Sequence, residues 1–272
     1  MTNTHSRIAR GGIEAYDVAA GRDPVAFFPL PEAAASDGHA VAPTLDRAVH
    51  TGPDHVVCVD RDGKVLWRTG FGHAEFSADG RVVWLYQPGD GDRWVVLDAA
   101  SGVERAGVDL TSEGVAGVHF VHPDGRHVLL SVGEGQDGVQ VYLGSFDGTA
   151  ILHTAYPWHD RVVLGFSPGG GEFLSVAHDQ TDLEIHRFPT GDVITRATVE
   201  DLGYDNEMCF DWTGAFLDAD RVVVAVIGDD WSRHAVIDAH TARWLAELPT
   251  TGDIVTPGDG TWWTTDPPTR CR

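Results

Sequence analysis

The 272-residue chain carries three cysteines, a single lysine, and no apolar run near the roughly 20 residues that a membrane-spanning helix needs. Three thiols cannot make a disulfide framework, so the fold has to rest on a hydrophobic core. The N-terminus, from Met1 to Arg7, lacks the apolar stretch of a secretory signal, and the sequence alone points to a cytoplasmic protein. No amphipathic stretch of helical period and convincing length occurs either. Basic residues are scarce, 19 against 41 acidic, for a formal net charge of −22. Such a charge repels nucleic acid and anionic membranes over most of the surface, which removes both from the expected partners.

Turn-forming residues are abundant. There are 32 glycines and 14 prolines, and 30 of the 41 acids are aspartate. Asp suits a turn-rich chain because its carboxylate accepts hydrogen bonds from backbone amides two residues on. A hydrophobic fraction of 42% gives ample material for a core. Arg in place of Lys, with much Ala, Gly and Val, fits a GC-rich bacterial genome; a halophile's acidic surface is the alternative source.

Self-similarity sets the architecture. One phrase recurs as Phe76-Ser-Ala-Asp-Gly80, Phe120-Val-His-Pro-Asp-Gly125, Phe166-Ser-Pro-Gly-Gly170, Phe216-Leu-Asp-Ala-Asp220 and Val255-Thr-Pro-Gly-Asp-Gly260, at steps of 44, 46, 50 and 39 residues. Each copy leads into an apolar run such as Val82-Val-Trp-Leu85 or Val222-Val-Val-Ala-Val226, the pattern of strand, tight turn, strand. A second phrase fills the gaps, as in Val95-Val-Leu-Asp-Ala-Ala-Ser-Gly102 and Ala235-Val-Ile-Asp-Ala-His-Thr241, and again reads as a hairpin. Each period therefore holds four short strands, A to D. A–B units fall near 38–53, 73–86, 117–132, 162–178, 213–227 and 251–265, and C–D units near 13–28, 55–70, 92–109, 137–155, 181–199 and 232–248. The N-terminal C–D hairpin has no A–B partner before it, and the C-terminal A–B hairpin has no C–D partner after it. Joined, they complete a six-bladed, all-β propeller of four-stranded blades, one domain over residues 1–272, closed by strands from both termini.

The repeats resemble degenerate WD40 repeats or the related YVTN-type propellers. Gly72-His73 stands where such repeats carry Gly-His, and Tyr16-Asp17, Leu97-Asp98 and Ile237-Asp238 stand at the Trp-Asp place without the Trp. The resemblance spans nearly the whole chain and implies a propeller that serves as a binding scaffold or, in a minority of relatives, as an enzyme with its site near the central channel.

Several motif matches fail in context. Gly165-Phe-Ser-Pro-Gly169 fits the nucleophile-elbow pattern, but its Ser matches Ser77 of the repeated turn and no helix follows. Gly133-Glu-Gly-Gln-Asp-Gly138 runs into a strand, so no helix N-terminus awaits a pyrophosphate. Asp90-Gly-Asp92 begins like a calcium loop but lacks the later acids. Cys58 reads as a buried apolar residue.

Two sets of residues remain as site candidates. The B–C loops and D–A connections open on one face, which gathers Trp158, His159, Asp160, His178, Asp179, Tyr204, Asp205, Trp212, Asp229, Asp230 and Trp231. Aromatics among carboxylates suit a small cationic or polar ligand or a basic protein segment, bound by a monomer. Alternatively these are wedging tryptophans and solvated turn acids. The second set, His73, Glu75 and His119, lies on neighbouring A strands and is the expected ligand set for a divalent metal. With His159 it would support a metal-assisted hydrolase or lyase at the channel mouth; His73 alternatively serves a structural hydrogen bond.

Overall fold

The computed structural model describes residues 4–9, 11–17, 23–30, 38–205, 207–250, 254–265 and 268–271. Seven antiparallel sheets follow one another along the chain. The first has three strands, β1 (Thr4–Ala9), β2 (Gly12–Asp17) and β3 (Ala26–Pro29). Five four-stranded sheets come next: β4–β7 (Gly38–Val41, Arg47–Thr51, His55–Asp60, Val65–Gly70), β8–β11 (His73–Phe76, Val82–Gln87, Arg93–Asp98, Glu104–Asp109) and β12–β15 (Ala116–Val121, His127–Gly133, Val139–Phe146, Ile151–Ala155). They continue with β16–β19 (Arg161–Phe166, Glu172–Ala177, Asp182–Arg187, Val193–Thr198) and β20–β23 (Cys209–Phe216, Arg221–Ile227, Ser232–Asp238, Trp244–Leu248). The last sheet, β24–β26 (Ile254–Val255, Trp262–Thr265, Pro268–Cys271), has three strands.

Within each four-stranded sheet the strands lie in chain order, as a run of short hairpins requires. The two middle strands are buried on both faces, as along Val83-Trp-Leu-Tyr86 and Trp94-Val-Val-Leu97, whereas outer strands such as β11 alternate between exposed and half-buried. That contrast follows from the sequence: continuous apolar runs suit strands covered on both faces, and alternation suits an edge. The covering layer is the next sheet. One core joins Val49, Cys58 and Trp67 to Phe76, Leu85 and Leu97 of the following sheet, and another joins Trp84 and Trp94 to Leu130 and Tyr142. The same pattern unites Leu174 and Ile185 with Val224 and Ile237. First strands also pack in succession, β4 against β8 and β8 against β12, and separately β16 against β20.

The chain divides into two compact units, residues 1–137 with 142–155, and residues 138–141 with 156–272. The hairpins sit where the repeated phrases predict them, except at the termini. β2 is flanked by β1 and β3, and β25 by β24 and β26. The expected six-bladed closure needs β25 beside β2, but each of those edges is already taken by a further strand of its own sheet. Among the described residues the chain therefore forms seven sheets, five of four strands and two of three. Residues 18–22 of the expected first C–D hairpin and residues 251–253 of the expected last A–B hairpin lie outside the described residues.

Candidate binding and metal-ligating residues

In the second unit the loops at one end of the sheets are tied together through the backbone. The Asp160 amide donates to Val139 O at 3.0 Å, the His178 amide to Asp160 O at 2.6 Å, and the Phe210 amide to Gln180 O at 3.0 Å. The β15–β16 connection, the β17–β18 hairpin and the β19–β20 connection thus share one end. Asp160 holds a left-handed φ of 62° there. A Cβ on Gly138 would fall 1.6 Å from its Oδ1, so the close approach requires glycine.

The three tryptophans divide into packed and presented, Trp158 and Trp231 in loops and Trp212, expected in a loop, on β20. Trp158 stacks on Tyr156 at 4.9 Å and on His186 at 5.0 Å, so packing accounts for it. Trp231 lies half-buried against the second unit's core, with the Arg233 guanidinium 4.8 Å above its ring and Tyr204 at 6.2 Å. Trp212 is 44% exposed and stacks nearly parallel on His178 at 5.3 Å, with its Nε1 donating to Ala177 O. Around them His159, Asp160, Asp179, Asp205, Asp229 and Asp230 are exposed. Asp179 accepts from the Thr181 hydroxyl and amide, and that hydroxyl holds its carboxyl below the usual range.

His73, Glu75 and His119 lie in the first unit, on β8 and β12. The Trp94 indole N–H donates to His119 Nε2 at 3.1 Å, which commits that nitrogen as an acceptor. Burial, with His73 adding a like charge, pushes His119 down to about 3. Burial also lifts Glu75 to about 7 despite the Phe76 amide on its Oε1. Among the described residues these three do not gather three ligand atoms within 4.8 Å of one another. His122, Asp124 and His127, in the β12–β13 turn, do. Asp124 Oδ1 lies 2.9 Å from His122 Nδ1 and Oδ2 lies 2.6 Å from His127 Nδ1. Burial opposes ionisation of Asp124, but the Arg126 amide and the His127 ring and amide hold its carboxyl far below the usual range. The sequence signal for this group was two histidines where the Ser77 turn carries Ser and Val and the Ser167 turn Ser and Glu.

Sequence reasoning also missed a buried polar network in the second unit. Arg161 donates to Ser175 Oγ and Asp182 Oδ1, both at 2.8 Å, and its Nε lies 3.0 Å from Glu184. Ser175 Oγ is 2.8 Å from His186 Nε2, while His186 Nδ1 is 3.1 Å from Gly191 O. The carbonyl fixes the ring proton on Nδ1, so the hydroxyl donates to Nε2. Although this pairs a serine with a histidine, both are fully buried in the sheet. Ser167 of the elbow-like motif accepts the Glu172 amide at 3.1 Å and closes its turn.

The first unit also holds a cavity of about 690 Å³ at its turn end. Four arginines line it, Arg47, Arg81, Arg105 and Arg126, with Asp79, Asp98 and Asp147. The three carboxylates are engaged by their own turns: Ser77 and the Arg81 amide hold Asp79, Ser101 holds Asp98, and Thr149 holds Asp147.

The fold is of the β-propeller type, shared with solved structures of low sequence identity. It is similar to the dihydro-heme d1 dehydrogenase NirN in complex with DHE (18% identity, TM-score 0.67, 97% of this chain) and to hydrazine synthase from Kuenenia stuttgartiensis (13%, 0.66, 96%). The chain spans 58% of the dehydrogenase chain and 89% of the hydrazine synthase chain. No protein-family model and no curated protein matches it in sequence. No helix among the described residues is long and apolar enough to cross a membrane.

Proposed function

We propose that the protein is a cytoplasmic binding scaffold, built from degenerate WD40- or YVTN-like repeats, that takes a basic protein segment or small organic cation at the loop end of its second unit. The observation that carries this reading is the exposed Trp212 ring of β20 stacked on His178, beside loops tied together by backbone hydrogen bonds. An aromatic face presents its quadrupole to a cation, and Asp179, Asp211, Asp229 and Asp230, in the adjoining loops and the start of β20, attract positive charge. Such a surface loses little entropy on binding. Tryptophan fluorescence titrated with an arginine-rich peptide tests it. Saturable quenching that weakens as salt rises and disappears in Trp212→Ala supports the reading; a titration indifferent to salt and to that substitution counts against it.

The arginine-lined cavity favours a second reading, a small anion held in the first unit. Its carboxylates are occupied by turn hydrogen bonds, whereas the Arg81 and Arg105 ion pairs are loose, at 3.7 and 3.5 Å. Guanidinium groups are suited to phosphate or carboxylate. Inorganic phosphate that raises the melting temperature of the protein but not of an Arg105→Ala/Arg126→Ala variant would establish it. The metal-assisted hydrolase or lyase has less support, because His73, Glu75 and His119 do not bring three ligand atoms within 4.8 Å of one another.

A further inference from the structure

We infer that the β12–β13 turn is a site for one first-row divalent cation of the zinc class, with His122, Asp124 and His127 as its protein ligands. The repeats themselves show that the turn does not need these histidines. Three turns share one backbone pattern: Ser77 N to Val82 O at 3.0 Å, His122 N to His127 O at 2.9 Å, and Ser167 N to Glu172 O at 2.9 Å. In each, a glycine amide also donates to the carbonyl of the first residue, at 2.9 Å. His122 thus stands in the place of Ser77 and Ser167, at the same 7% exposure, and His127 in the place of Val82. The serine turns close with a hydroxyl and no ring, through Val82 N on Ser77 Oγ and Glu172 N on Ser167 Oγ. Two imidazoles at these two places, on either side of a carboxylate, exceed what the turn requires.

The geometry suits a chelate. The ligand atoms already lie within 4.8 Å of one another, and the rings meet edge to face at 6.0 Å rather than stacking. Tetrahedral ligands about 2.1 Å from one ion are about 3.4 Å apart, so the 2.9 Å between His122 Nδ1 and Asp124 Oδ1 needs to open by only about half an ångström. The Asp124 amide lies 3.1 Å from the same Nδ1. A cation bound at this nitrogen would take the place of that amide contact. The Arg126 and His127 amides, at 2.8 and 3.1 Å from Oδ1, fix the carboxylate in the way outer-sphere partners do at metal centres. All three ligands come from one six-residue turn, so little chain entropy is lost on binding. Two imidazoles and one carboxylate select zinc-like ions over calcium or magnesium, and three ligands leave positions for water at the exposed Asp124 side.

Calorimetric titration of the tag-free full chain with zinc sulfate provides the test, beside a His122→Ser/His127→Val variant that restores the residues of the Ser77 turn. The expected result is one saturable site in the natural protein, weakened roughly tenfold or more in the variant, with equal melting temperatures in chelator. Should the double variant melt lower in chelator, His127→Val alone carries the comparison, since Val82 is already accommodated at that place. The inference is overturned by the lack of a saturable one-to-one site, or by equal affinity in the natural protein and the variant.

Discussion

At the residue scale, burial decides what the titratable groups can do. His186 is fully enclosed, and burial pushes it down to about 4 even though its bond to Gly191 O works the other way. Below pH 6.5 the unfolded chain takes up a proton that the folded ring refuses until about pH 4, so stability falls as pH drops through that window. His186→Gln should be less stable at pH 7 yet lose this part of the pH dependence, worth about 3 kcal/mol, as urea unfolding between pH 4 and 7 will show. Trp94→Phe removes both the donor to His119 Nε2 and part of a fully buried ring. It should cost about 2–4 kcal/mol in the same assay, and an unchanged midpoint would refute the combined contribution of bond and packing. Cys58 is pushed up to about 12, chiefly by burial and against the pull of Arg47. Native thiol labelling should therefore leave it unmodified and label it only after unfolding. Residue roles were the least legible part of the sequence. Trp158 and Trp212 both read as loop tryptophans in the sequence, and only the stack of Tyr156 and His186 around Trp158 makes that one structural.

At the element scale, sheet-on-sheet packing fixes where side chains are forbidden. Gly144 on β14 faces the Trp94 ring of the preceding sheet, where a Cβ would come within 2.3 Å of it. Gly144→Ala should cost about 1–3 kcal/mol by overpacking, whereas Gly89→Ala, which meets nothing within 4 Å, should be near neutral. Paired thermal melts of the two variants check this. The hairpins were legible because the same turn phrase is written five times and each copy precedes a doubly buried strand. β1 and β26 were not, for a physical reason. Thr4-His-Ser-Arg-Ile-Ala9 is polar and unrepeated, and it is held by pairing to β2 and the Arg7–Glu14 ion pair at 2.9 Å. Pro268-Thr-Arg-Cys271 is short and opens on a proline, a residue found at strand starts and edges. Edge pairing of such segments is a tertiary outcome that local pattern does not encode.

At the scale of the whole molecule, the sheets within each unit cover one another and leave function to the loops and turns. The acidic composition and the loop aromatics were visible in the sequence, but the backbone ties that make one end of the second unit rigid were not. Nor was the arginine-lined cavity, whose four guanidiniums come from turns and strands far apart in the chain. The central claim is that the loop end of the second unit binds a basic segment. Hydrogen–deuterium exchange with and without a saturating arginine-rich peptide tests it most directly. The account predicts protection concentrated in residues 178–181, 207–212 and 228–231, abolished in Trp212→Ala/Asp229→Asn/Asp230→Asn. Protection spread over acidic surface of both units, or unchanged in that variant, would contradict it.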